Sequence, residues 1–153
     1  MVQTASVGRR MAAELIDGVV AIALTSPVTV TAIMKHRRAN RSVRPPGPTP
    51  GTRIGAAAIV FGYEMVSRAC WGRTLGERAV GVTVVAAGGT TSVIKDGTIS
   101  WAAAGKLAAV RVVPAIIPAL GAALYAADTF SPIWDRDRRA VSDRVTGTVV
   151  VDS

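Results

Sequence analysis

The segment from Arg10 to Met34 constrains this chain most, because it has the length of a membrane span yet carries charge near its beginning. From Gly18 to Met34 it contains no charged residue, and about 20 such residues in a helix cross a bilayer core. At about 100° per residue, Arg10, Glu14 and Asp17 share one helix face. A carboxylate there costs roughly 2.5–3.5 kcal/mol in lipid. We therefore expect other parts of the protein to cover this face.

Two interpretations of this charged face stay open. In the first, the three residues form a local ladder of charges that sets how deeply the helix inserts. In the second, they face a partner cation, a proton or another helix and belong to a functional site.

The composition supports a membrane protein. Half of the residues are apolar and 18% are charged, below the roughly 25% usual in soluble domains. The net charge of +8 could indicate nucleic acid, but the basic residues flank the apolar runs, as membrane topology requires. We expect a multi-pass protein of the cell membrane whose partner is the lipid bilayer and not nucleic acid. The first span is too long and too charged for a cleaved signal peptide.

The pattern divides one membrane domain into six segments. We predict a helix over 9–34, a loop rich in Pro and Arg over 35–53, a helix over 54–71, a polar and β segment over 72–98, an apolar region over 99–130 and a charged C-terminal tail over 131–153. Lys106, Arg111, Pro114 and Pro118 interrupt the apolar region, so it crosses once, or it breaks and returns. The expected fold class is an all-α membrane protein, a small bundle of about three transmembrane helices with a small β patch.

The second helix repeats the charge spacing of the first. Glu64 and Arg68 are one turn apart, so they neutralise each other, or Arg68 reaches Asp17 and leaves Glu64 to titrate. Trp71 fits an interfacial anchor, and Arg111 is a further possible partner for the acids. The predicted intramembrane charge network comprises Arg10, Glu14, Asp17, Glu64, Arg68 and Asp128.

Two similar segments predict the β patch. ERAVGVTVV from Glu77 and DRVTGTVVV from Asp143 align without a gap, and their Val and Thr runs favour strands. We predict strands within 79–86 and 147–151 that pair with each other, and turns at 88–91 and 96–97. If the strands pair, they lie on one side of the membrane, and the third apolar region crosses twice or not at all.

Charge counting restricts the orientation. With the N-terminus inside and a third region that returns, ten Lys and Arg lie inside and six in the Pro-rich loop outside. Three crossings with the N-terminus inside reverse this excess and violate the positive-inside rule. Three crossings with the N-terminus outside satisfy the rule again, so two arrangements remain.

Three stretches together resemble the RDD family of bacterial membrane proteins. They are RRMAAELIDG from Arg9, GRTLGERAVGVTVV from Gly72 and DRRAVSDRVTGTVVV from Asp137. Arg10 and Asp17 match the arginine and the aspartate of the family's first helix, and Asp143 matches its second aspartate. Glu77 and Ser142 depart from the lysine and the histidine frequent at those positions. The resemblance implies an integral membrane protein, in a family for which solute transport has been proposed and in which some members are similar to accessory subunits of larger complexes.

The sequence offers no enzyme motif. It has no Walker loop, HExxH motif, nucleophile elbow or Cys/His cluster, and Cys70 is its single cysteine. We therefore expect no enzymatic activity, catalytic residue, metal or cofactor. Two hypotheses of function remain. The first is an accessory or structural subunit of a larger membrane complex, with other membrane subunits or further copies of itself as partners. The alternative is a small transporter or channel component whose intramembrane carboxylates bind a proton or a cation.

Overall fold

Two long helices form the body of the molecule. The computed structural model describes residues 4–39, 47–87, 94–95, 98–117 and 120–152, and these are mostly helical. The first helix, α1, covers Val7–Ala39, and the second, α2, covers Pro50–Trp71. At 1.5 Å per residue they are about 50 Å and about 33 Å long, so each exceeds the hydrocarbon core of about 30 Å.

Both helices begin or end beyond the predicted bounds of 9–34 and 54–71. The last turn of α1 contains His36, Arg37 and Arg38, and cations stabilise the negative end of a helix dipole. At the start of α2, the Thr49 hydroxyl accepts a hydrogen bond from the Thr52 amide, and proline suits the first helical position that follows. These local signals lengthen the helices at the ends nearest the Pro-rich loop.

One helix meets the requirements for a membrane span. In the parts of the chain that the structure describes, α1 alone is long and apolar enough to cross a bilayer, and none of its most apolar window is buried. Its outer face carries Leu15, Val19 and Ile22, each about 70% exposed. An apolar face of this size on an isolated chain is typical of a surface made for lipid or for another protein.

A second layer, which we call the cap, consists of two short helices and two strands. The helices are α3, Leu75–Val80, and α6, Val141–Thr146, and the strands are β1, Val82–Ala86, and β4, Thr148–Asp152. The strands pair antiparallel, from Val82 opposite Asp152 to Ala86 opposite Thr148. The predicted pairing is therefore confirmed.

The similar segments of the sequence thus form the same structural unit twice. Each unit is a six-residue helix, a glycine and a five-residue strand. Gly81 and Gly147 have φ of 70° and 69°, in the left-handed region that glycine adopts without strain. The strand predicted within 79–86 begins only at Val82, because the residues before Gly81 close a helix.

The N-terminus extends the cap. Thr4 forms a β-bridge with Val151, and the Ala5 amide donates to the Val150 carbonyl at 3.0 Å. Ala5, Ala13 and Val82 then pack into a small buried cluster. The beginning of α1 is therefore attached directly to the sheet.

The third apolar region is broken into two short helices. α4 covers Trp101–Val112, a 3₁₀ turn covers Val113–Ile116, and α5 covers Leu120–Phe130. Gly121 packs so closely on the Pro114 backbone that a Cβ would overlap the carbonyl oxygen. Of the two arrangements that the prolines left open, the structure therefore shows the broken one.

The two short helices leave the cap and come back to it. α4 packs along α2, with Gly105 next to Met65, and α5 ends where Asp128 binds Ser142 of α6. We call residues 101–117 and 120–130 the hairpin. Preceding it, β2, Ile94–Lys95, pairs with β3, Thr98–Ile99. The predicted turns at 88–91 and 96–97, and the Pro-rich stretch at 40–46, lie outside the described residues.

Candidate functional site: a buried charge network beneath the cap

The first half of the site joins α2 to α3. Arg68 is completely buried and pairs with two carboxylates, Glu64 at 2.7 Å and Glu77 at 2.8 Å. Glu77 also accepts a hydrogen bond from the Thr74 amide at 2.9 Å, while the Thr74 hydroxyl accepts one from the Glu77 amide. This reciprocal capping box positions α3 and holds its acid against the guanidinium.

Asp17 binds the beginning of the same short helix from α1. Its carboxylate accepts hydrogen bonds from the Tyr63 hydroxyl at 2.6 Å, the Thr74 hydroxyl at 2.6 Å and the Gly76 amide at 2.9 Å. A negative charge is favourable at the N-terminus of a helix because the amide dipoles there point toward it. Gly76 allows the approach, since a Cβ at this position would be 2.8 Å from the carboxyl carbon of Asp17 and would overlap the backbone of α1.

The second half of the site repeats this arrangement around α6. Arg10, on α1, pairs with Asp143 and donates to the Arg138 carbonyl. Asp143 also accepts from the Ala140 amide at 3.0 Å, as Glu77 does from Thr74. Both side chains of the Arg10–Asp143 pair are at least 90% buried. Removing either partner of a buried pair of this kind leaves an uncompensated buried charge, so each side chain requires the other.

Asp128 takes the place in the second half that Asp17 has in the first. It accepts from the Ser142 amide at 2.6 Å and from the Ser142 hydroxyl at 2.8 Å. Ser142 and Gly76 occupy the same position in the two repeated units, one residue before the capping acid. Each short helix is therefore held by its own acid, by an arginine from a long helix and by a second carboxylate from a neighbouring helix.

Arg111 connects the two halves. Its guanidinium, 12% exposed, contacts Glu14 directly and lies 3.9 Å from Glu64 and 3.8 Å from Asp128. One side chain of α4 thereby faces carboxylates from α1, α2 and α5. Interaction with three acids fixes where the hairpin meets the long helices.

Acids outnumber arginines in this site. Across the described part of the chain, the network contains the three guanidiniums named above and six carboxylates. The amides at the beginnings of α3 and α6 offset part of the excess negative charge. A cavity of about 40 Å³ lies beside Arg10, Glu14, Arg111, Asp128 and Asp143, which is enough for a water molecule. In the ranges that the structure describes, no group of His, Cys, Asp and Glu is arranged to hold a metal ion.

One carboxylate between α5 and the cap helix α6, outside the long helices and the hairpin, has a shifted pKa. The Arg139 amide donates to Asp135 at 2.7 Å, and the Arg144 guanidinium also contacts it. The hydrogen bond from the Arg139 amide, with help from the charge of Arg144, holds the pKa of the Asp135 carboxyl below its ordinary value. Hydrogen bonds to the charged form of a carboxyl act in this direction.

The structure brings all six predicted network residues beneath the cap. Of the two alternatives for the second helix it shows the pairing of Glu64 with Arg68, and Arg111 faces the acids as expected, whereas Arg10 and Asp17 have partners that were not predicted. Arg10, Glu14 and Asp17 do not form a local ladder, since each binds a different element. Arg68 does not reach Asp17 but binds Glu64 and, in addition, Glu77. The six residues are Arg10, Glu14, Asp17, Glu64, Arg68 and Asp128.

Sequence reasoning missed Glu77 as a member of the site. Its equivalence to Asp143 in the repeated segment, and the capping pattern from Thr74 to Glu77, both pointed to it. Tyr63, Thr74 and Ser142 were missed as well, because hydroxyl donors leave no distinctive spacing in a sequence.

The fold and the site define a membrane-associated protein in which a small cap is bound to a long apolar helix by buried charge pairs. The chain belongs to the RDD family, which matches residues 4–147. The resemblance drawn from the three sequence stretches is therefore confirmed. No curated protein and no solved structure matches the chain.

Arg10, Asp17 and Asp143, which match the family's motif residues, each make a contact that holds the cap. Arg10 and Asp143 pair with each other, and Asp17 binds the beginning of α3. The three residues that carried the resemblance thus hold the two short helices of the cap against α1.

Proposed function

We propose that the chain is a multi-pass membrane protein in which α1 crosses the bilayer as the apolar span. In this proposal α2, which is less apolar, crosses beside α1 because it packs against it, and the hairpin enters the bilayer from the cap side and returns. The lengths support this placement, because α4 and α5, of 12 and 11 residues, extend only about 18 Å and 16 Å. Neither spans a core of about 30 Å. Irregular backbone at the tip is tolerated where protein covers it, and α2 packs against this turn.

Three tryptophans support the same placement. Trp71 ends α2, Trp101 begins α4 and Trp134 follows α5, and each is more than half exposed. Tryptophan is enriched where a membrane protein meets the headgroups. We infer that they mark the interface on the cap side. The positive-inside rule then favours a cytoplasmic cap, because ten Lys and Arg lie on that side against six in the Pro-rich loop.

Within that membrane, we propose that the protein is an accessory or structural subunit of a larger complex. The observation that carries this proposal is that each of the six carboxylates in the network has a partner from the chain itself. Their charge is used to hold helices together. Two crossing helices and a re-entrant hairpin are also too few to enclose a conduit.

Purification at native expression level tests this proposal. A tagged chain extracted in mild detergent should copurify with a defined set of membrane proteins in constant ratio. Asp17→Asn should lower the amount of assembled complex, whereas Asp137→Asn, at an exposed surface pair, should not. Recovery of the chain alone from membranes, with no other membrane protein in constant ratio to it, would contradict the subunit role.

The excess of acids favours a second candidate, a small transporter or channel component. Arg111 faces three carboxylates, and a site with more acids than arginines can take up a proton or a cation. If this candidate is right, proteoliposomes of the purified protein accumulate a monovalent cation or dissipate a proton gradient. That flux should be lost in Glu14→Gln while the protein stays folded. Absence of any flux above that of empty liposomes rejects it.

A further inference from the structure

We propose that the protein binds one phospholipid from the leaflet on the side of the Pro-rich loop, with an acyl chain in a groove between α1 and α2 and the phosphate at Arg53. This inference rests on the membrane placement proposed above. The groove has a volume of about 370 Å³ and lies beyond the tip of the hairpin. Because α4 and α5 turn back there, no third helix among the described residues covers the distal parts of α1 and α2 on this side.

The walls of the groove suit a hydrocarbon chain. Ala21 of α1, Ala56 and Val60 of α2 and Ala115 of the hairpin tip line it. Three threonines also line it. The Thr25 hydroxyl donates to the Ala21 carbonyl at 2.7 Å, and the Thr29 hydroxyl donates within α1 too. The Thr52 hydroxyl is hydrogen-bonded to that of Thr49 at 2.9 Å. Their polar groups are therefore satisfied within the protein.

The dimensions fit one acyl chain better than a helix. From Arg53 to Glu64 the groove follows α2 for about 16 Å, close to half of a core of about 30 Å. An acyl chain packed at van der Waals distance is about 5 Å wide, so 15 Å of it occupies roughly 300 Å³. A helix about 10 Å wide needs more than about 1,000 Å³ over the same length.

Charged side chains lie at both ends of the groove, a single arginine at one end and an acid–arginine pair at the other. Arg53 lies at the rim next to the loop, where its Nε donates to the Pro48 carbonyl at 3.0 Å and fixes the guanidinium. Arginine binds phosphate oxygens through such oriented donors. At the other end Glu64 and Arg111 lie 3.9 Å apart. A hydrocarbon chain above this pair keeps water from it, which strengthens its attraction.

Photolabelling in vesicles tests the site. The full chain is reconstituted into vesicles of phosphatidylethanolamine with a fraction of phosphatidylglycerol that carries a diazirine in the middle of one acyl chain. After illumination, peptide mass spectrometry locates the adducts. We expect them to concentrate on the groove walls, at Ala21, Ala56 and Val60, rather than on the exposed outer residues Leu15 and Val19 of α1.

Matched variants separate the groove from the rest of the surface. Ala56→Leu fills the groove and should lower labelling severalfold, whereas Ala58→Leu, at an exposed neighbouring position, should not. Arg53→Gln should remove the preference for the phosphatidylglycerol probe over a phosphatidylcholine probe. Arg37→Gln, an exposed cation at the end of α1, should leave that preference intact.

Three results would overturn the proposal. One is an even spread of adducts over α1 and α2, and another is labelling that Ala56→Leu leaves unchanged. The third is a crosslink to a second copy or another protein in place of lipid when a photoreactive amino acid is introduced at Ala57, which also lines the groove. The map of the wild-type chain decides the question even if a variant fails to fold. Only chains that float with the vesicles after carbonate washing are analysed, so failure to float counts against the membrane placement itself.

Discussion

Asp17 offers the sharpest test of the site, because three donors converge on its carboxylate. They are the Tyr63 hydroxyl, the Thr74 hydroxyl and the Gly76 amide. Thr74 and Gly76 are buried, whereas Tyr63 is partly exposed and can turn to water. Hydrogen bonds to a charged group contribute about 1.5–3 kcal/mol each. We therefore expect Asp17→Ala to lower the free energy of unfolding by about 3–6 kcal/mol, a large part of the stability of a small domain.

Asp17→Asn should lower the free energy of unfolding much less than Asp17→Ala does. The amide oxygen of the asparagine still accepts hydrogen bonds from Tyr63 and Gly76. Its amide nitrogen can donate to the Thr74 hydroxyl, so that the direction of this hydrogen bond is reversed. The loss of the favourable charge at the beginning of α3 remains, so we expect a cost of about 1–2 kcal/mol.

Unfolding in detergent and hydrogen exchange measure these effects. We expect thermal unfolding to rank the proteins from most to least stable as wild type, Asp17→Asn and Asp17→Ala. The Gly76 amide should exchange faster in Asp17→Ala, because it loses its acceptor. Asp137→Ala is the control, since exposed pairs contribute only about 0–1 kcal/mol. An Asn variant as unstable as the Ala variant, or unchanged exchange at Gly76, would refute the reasoning.

Three further predictions follow from the same contacts. Arg68→Met leaves two carboxylates without their buried partner and should destabilise the protein by about 3–5 kcal/mol in the same unfolding assay; a stable variant would show that the pair is dispensable. Gly76→Ala forces a methyl group into the α1 backbone and should cost about 1–3 kcal/mol, whereas Gly62→Ala, with no atom within 4 Å of the added Cβ, should be tolerated. The lowered pKa of Asp135 means that its contribution to stability is present above its unfolded pKa of about 4 and is lost as the pH falls through its folded pKa. Asp135→Asn should therefore flatten the acid side of the stability profile, measured by thermal unfolding at a series of pH values, and an unchanged profile would count against the hydrogen bond from Arg139.

Much of the architecture could be predicted because its signals are local or periodic. The face shared by Arg10, Glu14 and Asp17 correctly indicated that these side chains need cover from the rest of the chain. The repeated segments predicted the pairing of β1 with β4. The prolines around residue 114 indicated that the third apolar region need not be one straight helix, and the structure shows the broken alternative of the two left open.

Apart from the pair of Glu64 and Arg68, which are one turn apart, the partners of the charged residues could not be predicted in the same way. Arg10 binds Asp143 across 133 residues, and Asp17 binds Thr74 across 57. No spacing rule within a helix selects among acids so far apart in the chain. The helices α3 and α6, of six residues each, are also too short for hydrophobic periodicity to show. Neither helix was predicted, and the first strand was predicted to begin at residue 79, inside α3.

The pairing of residues far apart in the chain has a consequence for biosynthesis. β4 pairs with β1 on one edge and with Thr4 on the other, so β4 joins residues that are translated long before it. In the same way, Arg10 leaves the ribosome long before its partner Asp143, which follows it by 133 residues. The guanidinium of Arg10 therefore lacks this counter-ion during most of translation, and the cap assembles around it only after α6 and β4 have been made.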